Sequence, residues 1–412
     1  MSKDAIQFSK LDIVLRKFAY FLFFVFVFFP FISFVDLGTD MQPYSLVIAI
    51  ILFFSFKKIT FSYVQIYLFL IFLSSVLVFL VSGISFLSSR ALFNYSQLFF
   101  VSYVGFQVLK SQRINFELFL KSSIIIWLLI GLIQTIYDKT FLSFLIRNPR
   151  LLSDKRGVTS LAAEPTFYGI VLLFFILFLF HTNYKHKNYL ICSCVFGIIF
   201  LAKSSMVFLF LAIMIFFYLL THLGIRSILY TAIFFLIVPF FILEFMQGTR
   251  ISYLIYEVLY RPSFLSMDFS ITDRLFHIFF SLKGFFDNFM LPNGFLSWES
   301  YMSTQIQEYT AAGTIPSDYE QARARARGGR IMSGYGAAFF ELGIISVLIP
   351  ITLLRLYYSL YKNNLKKFFF YSLFVNSIMF AAISVGFSMF AFYIGFLFYL
   401  LWQKCRGDPN YV

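Results

Sequence analysis

The sequence predicts an all-α protein that crosses a membrane many times. Of its 412 residues, 60% are hydrophobic and only 13% are charged, and its mean hydropathy is +0.84. An ordinary soluble domain carries charge on about a quarter of its residues, so this composition excludes that class. Many apolar runs approach the ~20 residues that a helix needs to cross a bilayer. The runs and the basic clusters between them predict about twelve transmembrane helices, with both termini in the cytoplasm.

The apolar runs place the predicted helices along the chain. Lys203-Ser204-Ser205 divides the longest run into two helices, because a lysine at a helix centre costs about 2.5–3.5 kcal/mol on insertion scales. Clusters such as Lys57-Lys58 mark the cytoplasmic side, where Lys and Arg are enriched. The predicted helices are Phe18 to Val35, Tyr44 to Phe56, Tyr63 to Ser82, Ala91 to Leu109, Phe116 to Ile136, Pro165 to Phe180, two within Tyr189 to Leu220, Ser227 to Leu243, Tyr335 to Leu354, Phe368 to Ala382 and Phe387 to Trp402.

This pattern divides the chain into three segments. Residues 1–243 hold the first nine helices and an external loop at 137–163, and residues 334–412 hold the last three helices and a cytoplasmic tail. Between them, residues 244–333 form a large external loop with eight basic and nine acidic side chains. A loop of that length is usually functional or disordered. Its aromatic runs, Ile251 to Tyr260 and Leu275 to Phe289, have an amphipathic pattern, which predicts that part of the loop lies on the membrane surface.

A polar stretch before the sixth helix carries the first candidate site. Pro165 suits the first turn of a helix, where its missing N–H has no consequence, and Glu164 would lie at the helix start, where the macrodipole favours a carboxylate. Arg156 could reach the same cavity if the intervening segment is helical. Fixed charges at the end of a membrane helix cost free energy, so they usually have a function. The alternative is that Glu164 only caps the helix and Arg156 only anchors to lipid headgroups.

Several further arginines are expected on the external side. Guanidinium stays charged and binds phosphate through two hydrogen bonds, so an arginine cluster suits recognition of a pyrophosphate. A solvated or lipid-facing basic run is the alternative for the cluster in the large loop. Arg90 and Arg274 add cations from distant parts of the chain, which is expected around a polyanionic headgroup. The loop cluster consists of Arg323, Arg325, Arg327 and Arg330.

Motifs for metal, nucleotide and nucleic-acid chemistry are missing from the sequence. The external segments contain no Asp-x-Asp pair, and no His/Cys cluster has metal-ligand spacing. No Walker-type glycine loop occurs, so ATP is not expected as an energy source. Most of the net charge of +14 comes from bases that flank predicted helices, so it does not indicate nucleic-acid binding. A glycosyl transfer here would therefore use arginines, with neither metal nor cofactor, to stabilise a pyrophosphate leaving group.

Two short motifs resemble a known family. Arg156-Gly157 followed by Glu164-Pro165-Thr166 resembles the Arg-Gly…Glu-Pro-Ser/Thr stretch of O-antigen polymerases of the Wzy type. Arg274, followed by Pro292 and Gly294, resembles the arginine and Pro-x-Gly turn shared by O-antigen polymerases and ligases. The resemblance covers most of the chain in topology.

A third motif is similar to the re-entry helix that closes the large periplasmic loop of that family. It comprises Gly334 to Ile345 and includes Glu341-Leu342-Gly343. The ligase branch has a His-Asn pair just before this helix, whereas this sequence has Ile331-Met332-Ser333-Gly334. The difference favours a polymerase over a ligase.

The resemblance implies a GT-C-like, metal-independent glycosyltransferase in the bacterial inner membrane, with its active site facing the periplasm. Its substrates would be a glycan donor and a glycan acceptor, each linked to undecaprenyl pyrophosphate. Arg156 and Arg274 would hold the donor pyrophosphate, assisted by Arg90 and the loop cluster. Glu164 would be the base for the acceptor hydroxyl or would orient Arg156, and His277 is the second candidate base, although a packed histidine is the stronger interpretation.

Other classes of protein remain as alternatives. A polysaccharide flippase or another transporter would also have about twelve helices, but it should carry charges inside several helices and have short external loops. A scaffold of a polysaccharide complex would use the arginines only to anchor to lipid. An O-antigen ligase is the nearest enzymatic alternative. A polymerase could also have a chain-length-regulating membrane protein as its partner.

Overall fold

The computed structural model describes residues 3–35, 41–56, 59, 61–147, 157–222, 244, 256, 269–313 and 330–406. Within these ranges the regular secondary structure is helical, which confirms the all-α class, and one isolated antiparallel bridge joins Ile32 to Ile146. The α-helices are α1 Lys3–Phe28, α2 Tyr44–Ser55, α3 Tyr63–Ser82, α4 Phe86–Ser111, α5 Phe116–Ile136, α6 Pro165–Phe180, α7 Lys187–Phe196, α8 Ser205–His222, α9 Phe269–Asp287, α10 Trp298–Ala311, α11 Gly334–Leu342, α12 Leu348–Tyr361, α13 Leu365–Ala381 and α14 Ser388–Cys405.

Three helical segments of the described chain are long and apolar enough to cross a membrane. They are α3, α5 and the continuous stretch Gly334–Tyr361, in which the 3-10 turn Gly343–Val347 joins α11 to α12. Shorter apolar helices cover Tyr44–Ser55, Pro165–Phe180, Lys187–Ala202 and Ser205–Thr221. These spans agree with a membrane protein, and the full set of about twelve spans stays a prediction. The predicted helix Ser227 to Leu243 lies outside the described residues.

Several predicted helix boundaries agree with the structure. Helices α3, α5 and α6 begin and end at the predicted residues. Helix α4 is longer at both ends than the predicted Ala91 to Leu109, and α1 begins earlier than the predicted Phe18 and ends at Phe28, before the predicted Val35. Pro30 explains the earlier end: proline cannot donate to the helical ladder, and it disfavours helical geometry in the residue before it.

The chain forms two compact units. The first comprises Met1–Thr60, Phe100–Ala212 and Ser388–Val412, and the second comprises Phe61–Phe99 and Ile213–Phe387.

The core of the first unit is built from phenylalanine rings around α6. Every side chain of α6 from Tyr168 to Leu179 is buried, so this helix is enclosed on all sides. Phe392 of α14 lies 5.5 Å from Phe28 and 5.8 Å from Phe178, measured between ring centroids. Such edge-to-face and tilted ring pairs add about 0.5–1.5 kcal/mol beyond the area they bury. Packing of this kind uses the high phenylalanine content of the sequence.

The predicted break at Lys203-Ser204-Ser205 is present in the first unit. Helix α7 continues into a π-helical turn, Gly197–Ala202, and Lys203 then adopts a left-handed backbone conformation with φ of 44°. The Lys203 N–H donates to the carbonyl of Ile198 at 3.2 Å, and α8 begins at Ser205. Two helices therefore meet at this lysine, which confirms the split of the long apolar run.

In the second unit, part of the predicted large loop is a packed helical structure. Helices α9 and α10 share a core with the last turn of α11 and with Ile331 before that helix; its residues are Phe280, Trp298, Met302, Ile306, Ile331 and Phe340. The predicted amphipathic run Leu275 to Phe289 falls mostly within α9, whose inner face packs in this core and against α11. Its outer face exposes Leu275, Phe279 and Phe286. The other predicted run, Ile251 to Tyr260, lies outside the described residues except for Tyr256.

Candidate functional site

The glycine of the first motif lies tightly against the break between α7 and α8. A Cβ at Gly157 would collide with the backbone carbonyls of Leu201 and Ala202, so a larger residue cannot occupy this position without a shift of the backbone. The next residue, Val158, donates its N–H to the carbonyl of Leu201 at 2.9 Å. The Arg-Gly pair of the motif thus has a structural reason for its glycine. Arg156 itself lies outside the described residues.

A buried polar network fixes the segment between Gly157 and α6. Gln134 of α5 accepts from the Ser160 N–H at 2.7 Å and donates to the Ser160 carbonyl at 2.9 Å. The Ser160 hydroxyl donates to the carbonyl of Trp127 at 2.8 Å. Ser160 has a φ of 50°, an uncommon conformation for a non-glycine residue that these bonds hold in place. The loop before α6 is therefore rigidly attached to α5.

The start of α6 agrees with the sequence prediction. Glu164 is the N-cap residue and Pro165 occupies the first turn, with Glu164 half-buried and making no capping hydrogen bond through its side chain. Thr166 shares a hydrogen bond of 3.0 Å with Ser204, which directly follows Lys203. From the sequence, Lys203 was expected only to interrupt a helix. The structure adds a half-buried cation beside a residue that contacts the Glu-Pro-Thr motif.

In the second unit, Arg274 is half-buried on α9 between Asp273 and a fully buried histidine. His277 accepts a hydrogen bond from the Met332 N–H at Nδ1, over 3.2 Å. The other ring nitrogen, Nε2, lies 3.6 Å from Asp273 Oδ1. The His277 ring also packs against Trp298, with 5.2 Å between centroids. These contacts support the packed interpretation of this histidine.

The Pro-x-Gly turn connects three elements of the second unit. The Asn293 N–H donates to the carbonyl of Phe340 in α11, and its side-chain amide donates to the carbonyl of Gly284 in α9, both at 3.0 Å. Gly294 has a φ of 87°, which a residue with a side chain rarely adopts. The Phe295 N–H donates to the Ser82 hydroxyl of α3 at 3.2 Å. The second and third sequence motifs are therefore in direct contact.

Helix α11, the predicted re-entry helix, begins at the residue that the sequence predicts. Ser333 is its N-cap, accepting from the Gly336 N–H at 2.9 Å and donating to the carbonyl of Phe380 at 2.5 Å. The helix ends at Leu342 because Gly343 adopts a φ of 65°, and the chain continues through a 3-10 turn into α12. A Cβ at Gly343 would lie 2.5 Å from the carbonyl oxygen of Met290. The glycine of the Glu-Leu-Gly motif thus allows close contact with the turn after α9.

Glu341 is the main site residue that the sequence analysis did not assign. Tyr95 of α4 donates from its hydroxyl to Glu341 Oε2 over 2.5 Å. The Tyr95 ring stacks on Phe295, directly after the Pro-x-Gly turn, with centroids 6.0 Å apart and planes within 13°. Arg330 lies close enough to act electrostatically on the carboxylate, and both Arg330 and Glu341 are half-buried. A carboxylate inside the predicted helix Tyr335 to Leu354 was the signal that could have identified it.

The remaining predicted arginines are placed as follows. Arg90 is half-buried near the start of α4, between one and two helical turns before Tyr95. The structure therefore has Arg90, Arg274 and Arg330 within the second unit, while Glu164 belongs to the first. The other loop arginines, Arg323, Arg325 and Arg327, lie outside the described residues.

The described part of the chain has no group of three or more His, Cys, Asp or Glu side chains arranged to hold a metal ion. Comparisons with protein-family models, with curated proteins and with solved structures found no match to this chain.

Proposed function

We propose that this protein is an O-antigen polymerase: a metal-independent glycosyltransferase that joins undecaprenyl-pyrophosphate-linked oligosaccharide repeat units. It would act on the periplasmic face of the bacterial inner membrane, within a GT-C-like bundle of about twelve spanning helices. The observation that carries the proposal is the contact between the Pro-x-Gly turn and the Glu-Leu-Gly motif. These are two of the three motifs that resemble the family, and they are separate in sequence, yet the Asn293 N–H donates to the carbonyl of Phe340, the residue before Glu341.

The chemistry of this region suits glycosyl transfer from a lipid pyrophosphate. Breaking the bond to the anomeric carbon leaves negative charge on the pyrophosphate, and preorganised cations stabilise that charge. Arg274, Arg330 and Arg90 are half-buried in the unit that contains Glu341. Under the proposal they bind the pyrophosphate together with Arg156, Arg323, Arg325 and Arg327. Glu164 then orients Arg156 or accepts a proton.

The gene deletion distinguishes the proposed polymerase from its alternatives. Loss of a polymerase leaves a single repeat unit attached to the lipopolysaccharide core, whereas loss of a ligase or a flippase leaves none. Loss of a scaffold would alter the distribution of chain lengths. Gel electrophoresis of the surface polysaccharide reports each outcome, and a deletion strain without the single-repeat band would refute the proposal.

Point variants test the assigned arginines in the same assay. We expect Arg156→Ala and Arg274→Ala each to abolish the ladder of long chains while the protein still inserts in the membrane. Arg355→Ala is the matched control, because Arg355 of α12 donates to the Tyr67 hydroxyl at 2.7 Å and lies at the predicted cytoplasmic end of its helix. A normal ladder from the Arg156 or Arg274 variant would contradict the role of that residue.

A further inference from the structure

A carboxylate within a candidate membrane span needs a reason to be there. Glu341 lies in the span Gly334–Tyr361, between Phe340 and Leu342, which are both fully buried. Ionisable side chains within spanning helices are costly and usually have a functional role with a specific partner. The partner here is Tyr95, whose hydroxyl donates to Oε2. A hydrogen bond from Tyr95 is also what a purely structural link between α4 and α11 would show. The acceptor positions and the exposure of Glu341 therefore decide whether it has a chemical role.

The geometry leaves Glu341 able to accept a proton from a bound molecule. A carboxylate offers about four acceptor positions, and the Tyr95 hydroxyl occupies one of them. As a residue, Glu341 keeps part of its surface exposed, whereas its neighbours Phe340 and Leu342 are fully buried. The hydrogen bond to Tyr95 and the stacking of Tyr95 on Phe295 restrict the movement of the acidic group. A carboxylate held in one position with free acceptor positions is the arrangement that general base catalysis requires.

The other acid–base candidates in this unit fit the role less well. His277 is fully buried, and its ring contacts are the Met332 N–H, Asp273 and Trp298. Asp287 pairs with Lys283 at 2.6 Å on the exposed side of α9. Glu341 combines partial exposure with a nearby arginine, Arg330, which could hold the leaving group.

We infer that Glu341 is the general base of the glycosyl transfer and that Tyr95 is the positioning residue that holds its carboxylate. Of the two roles considered for Glu164, this assignment leaves it the orientation of Arg156. This assignment rests on the proposed function. The acceptor hydroxyl gives its proton to Glu341 while its oxygen forms a bond to the anomeric carbon of the donor glycan. The bond from that carbon to the pyrophosphate oxygen breaks, and undecaprenyl pyrophosphate leaves with the electron pair. Arginine side chains bind the charge that develops on it.

The test uses the full-length protein in lipid vesicles, supplied with undecaprenyl-pyrophosphate-linked repeat units, and measures glycan elongation. Glu341→Gln keeps an oxygen that can accept from Tyr95 but removes the base. We expect elongation to fall by at least about 100-fold, since a general base contributes 10²–10⁴-fold. Thermal unfolding should change little, because shape and hydrogen bond are retained. We expect Tyr95→Phe to lower elongation by a smaller factor.

A matched control comes from the same unit. Tyr335 of α11 donates to Asn376 Oδ1 of α13 at 2.6 Å, a hydrogen bond between two helices that involves no carboxylate. Tyr335→Phe should therefore affect stability but leave elongation within threefold of the wild-type rate. Equal losses of elongation in Tyr335→Phe and Glu341→Gln would indicate that both bonds only hold helices together, and would overturn the assignment.

Chemical rescue separates a base from a structural residue. Glu341→Ala leaves room for a small carboxylate, so added formate should restore part of the elongation, and only a folded variant can respond. Formate should not restore Tyr95→Phe. If the wild-type protein elongates glycans but Glu341→Gln does so within threefold, the assignment fails and the proposed function stands. A wild-type protein that elongates no glycan would refute both.

Discussion

The side-chain amide of Asn293 donates a hydrogen bond to the carbonyl of Gly284, 3.0 Å away in the last turns of α9. The backbone N–H of the same residue donates to Phe340 of α11. Asn293 in the Pro-x-Gly turn therefore bonds to both helices. The position of Glu341, which follows Phe340 in α11, depends on these two bonds.

We expect Asn293→Ala to lower the free energy of unfolding by about 1 kcal/mol, the typical contribution of one hydrogen bond. The Gly284 carbonyl still accepts from the Asn288 N–H at 3.2 Å, which limits the loss. Asn288→Ala is the control, because its side-chain bonds to the carbonyls of Leu291 and Pro292 are exposed to solvent and 3.2 Å long. Thermal unfolding in detergent would measure both. A larger loss of unfolding free energy for Asn288→Ala would show that the bonds of Asn288 to Leu291 and Pro292, and not those of Asn293, stabilise the turn.

Gly343 offers a test of the contact between the re-entry helix and the turn after α9. We expect Gly343→Ala to destabilise the protein for two reasons: its φ is 65°, and the new Cβ would lie 2.5 Å from the Met290 carbonyl oxygen and 2.8 Å from Pro292 N. Gly313→Ala is the matched control, since its φ is 72° and no atom of the described residues lies within 4 Å of the added Cβ. The control should lose only the conformational cost, about 1–2 kcal/mol.

The loss of unfolding free energy for Gly343→Ala should be at least twice that of Gly313→Ala. Equal losses in chemical denaturation would mean that the backbone at Met290 moves aside without cost.

The pair Lys283 and Asp287 on α9 predicts a dependence of stability on pH. The hydrogen bond from Lys283 lowers the pKa of Asp287, against the opposing effect of burial, and a second bond from Tyr301 adds to the lowering. Stability from this group is therefore present above its ordinary pKa of 3.8 and is lost as the pH falls through the lower value in the folded state. The pKa of Lys283 is raised, chiefly by the same bond, so its contribution is present below 10.5 and is lost at higher pH.

A double-mutant cycle of Lys283→Met and Asp287→Asn would measure this coupling. Because the Asp287 side chain is 46% exposed, solvent screens the pair, and we expect about 0.5 kcal/mol at pH 7. The coupling should disappear as the pH falls through the lowered pKa of Asp287, and it should decrease in 1 M salt. A coupling that persisted in acid would show that the two side chains interact by packing and not by charge.

Much of the helical architecture could be predicted from local sequence. Helix α3 follows Ser62, which forms a capping box with Gln65, and α5 follows the cap residue Asn115, so the limits of these apolar runs are encoded beside them. Pro165 marks the start of α6 in the same way. The packed structure of the large loop was not predictable, because it depends on contacts such as that of Trp298 with Phe340, whose rings lie 5.2 Å apart.

The candidate site likewise combines residues that the sequence could identify with residues that only tertiary contacts reveal. The motifs identified Arg274, Gly294 and Gly343, since glycines at positive φ and arginines have clear sequence signals. Tyr95 had none, because it is one of 26 tyrosines and its role depends on a partner 246 positions away. Glu341 lies in the predicted helix Tyr335 to Leu354, and the sequence indicated it only as part of the Glu-Leu-Gly motif. Its pairing with Tyr95 became visible through tertiary structure alone.

The turn after α9 is expected to enter the lipid bilayer. The Phe289 side chain is 88% exposed, and its neighbour Met290 accepts a hydrogen bond at 2.8 Å from the N–H of Ile344, which is 54% exposed in the span Gly334–Tyr361. The exposed apolar surface of the turn is therefore continuous with that of a candidate membrane span, and lipid is the partner that fits both.

Fluorescence quenching by brominated lipid in vesicles tests this insertion. The Phe289→Trp variant adds one tryptophan, and its fluorescence, taken as the difference from the parent protein, should be strongly quenched. Ser300→Trp on the exposed side of α10 is the control and should be quenched much less. Equal quenching at both positions would contradict a specific insertion of the turn, and weak quenching at both would place the turn in water.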